Sequence, residues 1–284
     1  MAQLNPMPQA LFEHLSDIGS QLREHRRVLV FLDFDGTLTP IVDFPSQAVM
    51  LPETRVTLKR LSEIGTFSIT IVSGRALSDI RERVGMANLT YAGNHGLEIW
   101  GEGLRFVEPD AVRRIKILGE FSRRLRDRLR HIPGVEVENK VLTTSVHFRR
   151  AERGSLDEIR NTVHAELAFS ERIFRLTKGL QVIEVRPRVD WNKGTAVRWI
   201  QQVSGSANTL SIYVGDDATD EDAFAALPEG ITVRVGHAKG TAARYYLDDQ
   251  KSVTHFLSWL GRADVRGVAS SPAQREQAAK IRRA

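Results

Sequence analysis

The 284-residue chain contains no cysteine. That excludes a disulfide framework, a thiolate metal site and a thiol nucleophile. No apolar stretch approaches the ~20 residues needed to span a bilayer; Val28 to Leu32 is typical of the longest. The N-terminus lacks the basic-then-apolar pattern of a secretory signal. With the missing cysteine, this leads us to expect a cytoplasmic protein with no membrane partner. Aromatic residues make up 7%, too few to interleave with Lys and Arg into a stripe for single-stranded nucleic acid. No internal repeat is present, so a fibrous or solenoid architecture is excluded.

What is present is a globular composition: 42% hydrophobic and 26% charged residues, enough apolar material for one large domain or two ordinary ones. The net charge of +5 and a pI near 9.7 hint at a polyanionic partner such as nucleic acid. The distribution of the charge argues otherwise. Residues 109–188 carry 18 basic and 11 acidic residues, the tail 261–284 carries 6 and 2, and the remainder carries 16 and 22. An acidic body therefore faces a basic insert, which suits a small dianion better than a nucleic acid.

The apolar runs Val28–Asp33 and Phe67–Val72 read as strands buried on both faces. Each is followed by a helical segment; the first helix is opened by Pro52 and closed by Gly65. Residues 8–27 read as an amphipathic lead-in helix. The strand–helix rhythm resumes from Asn192, with strands at TLSIYVGDD and ITVRV. This alternation predicts an α/β fold with a doubly wound, mostly parallel sheet. Between the halves the texture changes. Apolar residues at 112, 115, 118, 121, 125 and 129 form a helical stripe. VEVENK and VLTTSVHFR alternate with period two, Ser155 and Glu158 form a capping-box signal, and two short strands follow. We expect a small α+β domain at 109–188 inserted into a core of 1–108 and 189–260, with a flexible basic tail at 261–284.

The sharpest chemical feature is Asp33-Phe34-Asp35-Gly36-Thr37, where a buried strand ends. Catalytic groups in open α/β sheets gather at strand carboxyl ends. Two carboxylates at i and i+2 share a side, and Gly36 lets the backbone turn after them. By itself the segment also reads as an ordinary turn. Gly215-Asp216-Asp217-Ala218-Thr219-Asp220-Glu221 likewise follows a strand. Its crowded carboxylates repel one another unless a cation such as magnesium neutralises them, although part of it also reads as a helix first turn. Ser73-Gly74-Arg75 and Asn192-Lys193-Gly194 supply a hydroxyl and a compact cation suited to a phosphoryl oxygen.

As an ordered set, DFDGT, the Ser73 strand end, Lys193 and GDDATDE resemble the four signature motifs of the haloacid dehalogenase-like phosphohydrolases. The insert lies between the second and third motifs, as in members with a C2-type cap. LDFDGTLTPI, IVSGR, AGNHGLEI, VIEVRP followed by NKG, and GDDATDEDAF narrow the resemblance to the trehalose-6-phosphate phosphatase family. It covers about residues 28–260.

The resemblance implies magnesium-dependent hydrolysis of trehalose 6-phosphate through an aspartyl-phosphate. Asp33 would be the nucleophile, Asp35 the general acid and base, and Ser73 and Lys193 the phosphoryl-holding groups. The Asp33 carboxylate, the Asp35 carbonyl and Asp216 would bind magnesium, with Asp217 and Asp220 behind them. Expected substrate contacts are Gly36, Thr37, Gly74, Arg75, Asn94, His95 and Gly96 from the core, with Lys140, His147, Lys178 and Glu184 from the cap. The polar face Val141, Thr143, Ser145 and His147 is expected to face the cleft. The partner is a small-molecule sugar phosphate, with no nucleic acid, and the protein is expected to be a monomer. Phosphatases of sucrose, glucosylglycerol or mannosylglycerate phosphate share the same core chemistry and stand as the alternative.

Overall fold

The structure is a computed structural model that describes residues 7–179, 181–204 and 208–263. From its amino end the chain forms β1 (Gln9–Ala10), α1 (Leu15–Glu24), β2 (Arg27–Leu32), α2 (Pro52–Ser62), β3 (Phe67–Val72), α3 (Leu77–Val84) and β4 (Thr90–Gly93). A hairpin of β5 (Glu98–Gly101) and β6 (Leu104–Val107) follows. The middle holds α4 (Pro109–Arg113), α5 (Ile115–Leu129), β7 (Glu136–Asn139), β8 (Thr144–His147), α6 (Leu156–Ala168), β9 (Phe174–Gly179) and β10 (Val182–Pro187). The chain then returns with α7 (Lys193–Ser204), β11 (Thr209–Gly215), α8 (Glu221–Ala226), β12 (Ile231–Val235), β13 (Tyr245–Leu247) and α9 (Gln250–Arg262).

The larger sheet has the order β1-β13-β12-β11-β2-β3-β4-β5-β6. All its pairs are parallel except β4–β5 and β5–β6. The expected doubly wound sheet is therefore present. Alternate residues of β2 explain why its sequence does not alternate. Val28, Val30 and Leu32 pack with Leu58, Leu61, Phe256 and Leu260 on one face; Leu29 and Phe31 pack with Val197, Ile200 and Phe224 on the other. Both faces are covered by helices, so every position is apolar. After β2 the chain winds outward through β3 and β4, and the late strands wind the opposite way from β11. The carboxyl ends of β2 and β11 thus flank the topological switch point, where open α/β sheets form their crevice. The Asp33 N–H donates to the Val214 carbonyl at 2.9 Å and ties the two ends together.

The second sheet is smaller and antiparallel, in the order β7-β8-β10-β9. One of its faces carries a separate core, in which Phe121, Leu125 and Leu129 of α5 and Ile159 and Val163 of α6 meet Val137, Val146, Ile183 and Val185. Its other face carries polar side chains toward the larger sheet.

Several local expectations are corrected. The lead-in is not one helix: Gln9 and Ala10 pair with Tyr245 and Tyr246, then a 3-10 turn precedes α1. Pairing at the sheet edge covers exposed β13 groups and overrides local helical preference. The apolar stripe of the insert breaks at Arg114, between α4 and α5, which leaves Val112 and Ile115 partly exposed. Ser155 makes no side-chain capping bond. A capping box forms instead at Asp217 and Asp220. Val141 lies outside β8 in a left-handed turn and is exposed, so it does not join the polar face. The final helix runs to Arg262; of the expected tail, residues 264–284 lie outside the described residues. Among the described residues no helix is long and apolar enough to cross a membrane.

Candidate active site

The floor of the site is built where β2 and β11 end. Asp33 and Lys193 are almost completely buried. The Lys193 ammonium, on the first turn of α7, donates to Asp33 Oδ1 at 2.7 Å and to Asp220 Oδ1 at 2.7 Å. Asp220 is saturated. Its Oδ1 also accepts from the Tyr213 hydroxyl at 2.6 Å, and its Oδ2 accepts from the Asp216 and Asp217 N–H groups at 3.0 and 2.9 Å. Asp216 accepts from the Thr37 hydroxyl at 3.1 Å. Burial opposes the charge on Lys193, but Asp220 and Asp33 outweigh it and hold the ammonium above its ordinary range. Burial pushes the Asp33 carboxyl well up, Lys193 offsets only part of this, and Asp220 and Asp216 add repulsion. Burial and the neighbouring Asp220 push Asp216 up to about 7.

These groups fit a divalent cation. Asp33, Asp216 and Asp220 bring a carboxylate oxygen each within 4.8 Å of one another. Three carboxylates face a single ammonium, leaving an excess of negative charge that a hard dication neutralises. Because all of Asp220's bonding capacity is spent on Lys193, Tyr213 and two amides, Asp33 and Asp216 are the residues that would hold the ion. Gly36 makes room for this: at φ +88 its missing Cβ would lie 2.1 Å from Asp216 Oδ2.

The raised carboxyls set an expected pH dependence. A carboxyl whose folded pKa lies above its unfolded value of about 3.9 stabilises the fold while protonated and loses that contribution as pH rises. For Asp216 the window runs from about 4 to about 7. His95, lowered to about 4, contributes the opposite slope in this window, so the Asp216 contribution is read against Asp216→Asn: in metal-free protein the melting temperature of wild type minus that of the variant should fall from pH 5 to pH 7, and saturating magnesium should flatten that fall. Thermal melts of both proteins across this range, with and without magnesium, check it; a metal-free difference that rises through the window would contradict the placement.

Asp35 points its carboxylate at Arg75, whose Nε donates to Oδ2 at 2.7 Å and Nη2 to Oδ1 at 2.6 Å. Arg75 also donates to Asp79 and to the Pro45 carbonyl, each at 2.9 Å. Such a planar fork fixes the carboxylate's orientation. Ser73, at the end of β3, is buried with its hydroxyl accepting from the Arg75 N–H at 3.1 Å.

The opposite wall comes from the smaller sheet. Glu184 of β10 accepts from Lys140 Nζ at 2.6 Å and Ser145 Oγ at 3.1 Å, and its other oxygen meets His95 Nε2 at 2.5 Å. Lys140 Nζ also donates to the Gly74 carbonyl at 2.8 Å and spans the two units. Burial opposes ionisation of Glu184, but His95 and Lys140 hold it well below the carboxylate range. Burial, then Arg186, lowers His95 to about 4, so a neutral imidazole donates its Nε2 proton to the carboxylate. Asn94 and His95 sit in left-handed conformations, a turn that aims the imidazole across the cleft. Beside them His147 bonds Glu138 at 2.9 Å. Together floor and wall enclose a cavity of about 390 Å³.

Of the expected site residues, Asp33, Asp35, Gly74, Arg75, His95, Lys140, His147, Glu184, Lys193, Asp216 and Asp217 line this cavity. Ser73 and Asp220 do not; they stand behind Arg75 and Lys193. Four expected substrate contacts are not among the lining residues. Gly36 makes way for Asp216, and the fully buried Thr37 hydroxyl bonds Asp216. The buried Asn94 amide is consumed by Glu98, the Lys140 carbonyl and Thr143. Gly96 packs on Ala196, which its Cβ would meet at 2.3 Å. Lys178 lies opposite Ile183 on β9; its side chain lies outside what the structure describes. Glu138, Arg149, Ile41, Val42, Asp43 and Pro45 also line the cavity and were not among the expected site residues. For Glu138 a signal existed: in VEVENK, period two places it on one strand face with Lys140.

A family model described as trehalose-phosphatase matches residues 31–251. A trehalose-phosphate phosphatase of Mycobacterium tuberculosis is 38% identical over 246 residues, covering 84% of this chain and 62% of its own length. One from Mycolicibacterium paratuberculosis is 37% identical over 279 residues, covering 94% and 69%. The chain thus spans less than two thirds of the first relative. Among solved structures, the C-terminal domain of a Candida albicans trehalose-6-phosphate phosphatase superposes with a TM-score of 0.76 at 24% identity, covering 90% of this chain and 98% of that one, a likeness of fold. The Aspergillus fumigatus trehalose-6-phosphate phosphatase gives 0.62 at 26% identity, covering 91% and 100%.

Proposed function

The chain belongs to the trehalose-phosphatase family, and from that premise we propose that it hydrolyses trehalose 6-phosphate to trehalose and inorganic phosphate. The carrying observation is that Asp33, Lys193 and Asp216 converge at the switch point beneath a wall of Glu138, Lys140, His147 and Glu184. The floor suits a phosphoryl group and the wall suits hydroxyls. In this reading residues 1–108 and 189–260 act as the catalytic core and 109–188 as a cap that recognises the sugar.

The free oxygen of Asp33 attacks phosphorus in line while Lys193 holds the other. The bond from phosphorus to the sugar oxygen breaks as the bond to Asp33 forms, giving an aspartyl-phosphate. To act, Asp35 must carry a proton on the oxygen released from Arg75 Nε while Nη2 still holds the other; it gives that proton to the leaving sugar oxygen, then takes one from the water that attacks the acyl phosphate. Asp33, Asp216 and the Asp35 carbonyl would hold a magnesium ion, which when bound neutralises charge on the phosphoryl oxygens. Asp220, acting on Lys193, keeps the ammonium aimed at Asp33. Cap hydroxyl-binding groups would be Glu138, Lys140, His147 and Glu184.

Phosphate release across trehalose 6-phosphate, sucrose 6-phosphate, glucosylglycerol phosphate, mannosylglycerate phosphate and glucose 6-phosphate tests the assignment. Trehalose 6-phosphate is expected to give the highest kcat/KM. Equal values for glucose 6-phosphate and trehalose 6-phosphate would remove the second glucose from recognition and defeat the reading.

A further inference from the structure

We propose that Arg149 and Arg150, on the smaller unit, are positioning residues for Asp35 and act on it through the Ile41–Pro45 segment of the core. The proposal rests on the proton-transfer role given to Asp35 above. Its basis is an unbroken chain of contacts between the two units. Arg149 Nη1 donates to the Val42 carbonyl at 2.5 Å. The Arg150 guanidinium lies over the Phe44 ring, 4.3 Å from its centroid. The next residue, Pro45, offers its carbonyl to Arg75 Nη2 at 2.9 Å. That same nitrogen donates to Asp35 Oδ1 at 2.6 Å. A shift of the segment is therefore felt directly by the nitrogen that holds the carboxylate.

The rest of the segment's surroundings make these two grips matter. Between Thr39 and the 3-10 turn Pro45–Gln47 the chain has no regular secondary structure. Ile41 and Phe44 are 47% and 37% exposed, so apolar burial fixes this stretch mainly through the partly buried Val42. Its far end is anchored by Arg83, which donates to the Ser46 and Ala48 carbonyls at 3.0 and 3.2 Å. Its near end is held by the packing of Val42 on the core and, from the smaller unit, by Arg149 and Arg150. On the other side of Arg75, Asp79 supplies a fixed partner. The fork on Asp35 is thus set by one anchor inside the core and one that depends on the smaller unit. Two parallel N–H···O bonds tolerate little displacement, and general acid catalysis is sensitive to misplacement of about an ångström. The unit that meets the sugar is in this way wired to the carboxyl that delivers the proton.

The test compares leaving groups, using the full chain with magnesium. Trehalose oxygen needs a proton to leave; 4-nitrophenolate does not. Single-turnover phosphoryl transfer is measured for trehalose 6-phosphate, and the 4-nitrophenol burst for 4-nitrophenyl phosphate. Arg149→Met is expected to slow the sugar reaction ~10-fold, a part of what general acid catalysis supplies. The aryl burst should change by less than about twofold, because it needs no acid. Arg149→Lys, which keeps a cationic donor for the Val42 carbonyl, should recover most of the loss. Equal slowing on both substrates would mean a merely structural role and overturn the proposal. A rise in KM with unchanged transfer rate would overturn it as well, as would no change. Should Arg149→Met fail to fold, exposed Arg150→Ala carries the same split at ~3-fold, the scale of one exposed cation–π contact. A wild-type protein that turns over the aryl ester but not trehalose 6-phosphate would sink the substrate assignment alone. The comparison would then run on the sugar phosphate it accepts.

Discussion

Asp33→Asn is expected to leave the fold intact and to reduce phosphate release at least ~10³-fold, the scale for loss of an essential nucleophile. The two expectations come from the same geometry. Asn has the shape of Asp, and its amide oxygen can still accept from Lys193, which now holds Asp33 Oδ1 at 2.7 Å. The substitution also removes one member of a crowded anionic cluster whose carboxyl is driven well up by burial. Neutralising it should therefore cost little stability and could raise it in metal-free protein. An amide, however, is not a nucleophile toward phosphorus and loses one negative oxygen for the cation. Melting within a few degrees of wild type, together with loss of turnover, is the predicted pair. Residual activity above a few per cent would remove Asp33 from the nucleophile's role. Wild-type protein quenched during turnover should carry hydroxylamine-sensitive phosphate, and the variant none.

The parts of the site that were legible in the sequence are those whose chemistry is local. DFDGT and GDDATDE announce themselves because crowded carboxylates follow directly on runs such as Val28–Leu32, and strand carboxyl ends are where such sheets place their chemistry. The fold class was legible for a related reason: a strand covered on both faces has no polar side to show, and β2 is of that kind. What could not be read were roles settled by partners far along the chain. Thr37 and Asn94 sit inside the motifs and look like ligand contacts. Each is instead spent on a residue more than 45 positions away, Thr37 on Asp216 and Asn94 on Lys140 and Thr143. Arg75 reads as a substrate contact, and nothing local shows that the fold places Asp35 and the Pro45 carbonyl against it. The β5–β6 hairpin and the two-residue β1 were invisible because short edge strands are made by their neighbours rather than by their own propensity.

The charge imbalance resolves the same way. The basic insert does not simply line the cleft. Arg124 and Arg128 of α5 close on the buried Glu166, and Arg149 and Arg150 reach over to the core. At the cleft wall the insert contributes Glu138 and Glu184 alongside Lys140 and Arg149. Its excess of cations is therefore largely structural, and attraction of a phosphate dianion would fall mainly to Lys193 and to the magnesium ion that Asp33 and Asp216 would hold.

Lys193→Met should be both inactive and markedly less stable, and the two losses can be separated. The ammonium sits between Asp33 and Asp220 at 2.7 Å from each and is 2% exposed. Removing one member of a buried ion pair leaves uncompensated charge, a loss of about 3–5 kcal/mol. For a chain of this size that corresponds to a melting temperature lower by roughly 10 °C. The loss should grow as pH rises, because Asp33 and Asp216 are relieved by taking up protons and at high pH cannot keep them. Magnesium should restore part of the stability by supplying the missing positive charge. Adding Asp220→Asn to Lys193→Met removes the second buried charge. The Asn oxygen can keep the two backbone donors of Asp216 and Asp217, and its NH₂ can face the Tyr213 hydroxyl. The double variant is therefore expected to regain most of the lost stability while remaining at least ~10³-fold slow, since two groups in one network do not act additively on folding but the phosphoryl-holding cation is still gone. Thermal melts from pH 6 to 9 and phosphate release, both run on the single and double variants, read the two effects apart. If the double variant recovered turnover along with stability, Lys193 would be a charge-balancing residue for Asp220 and not a partner of the phosphoryl group.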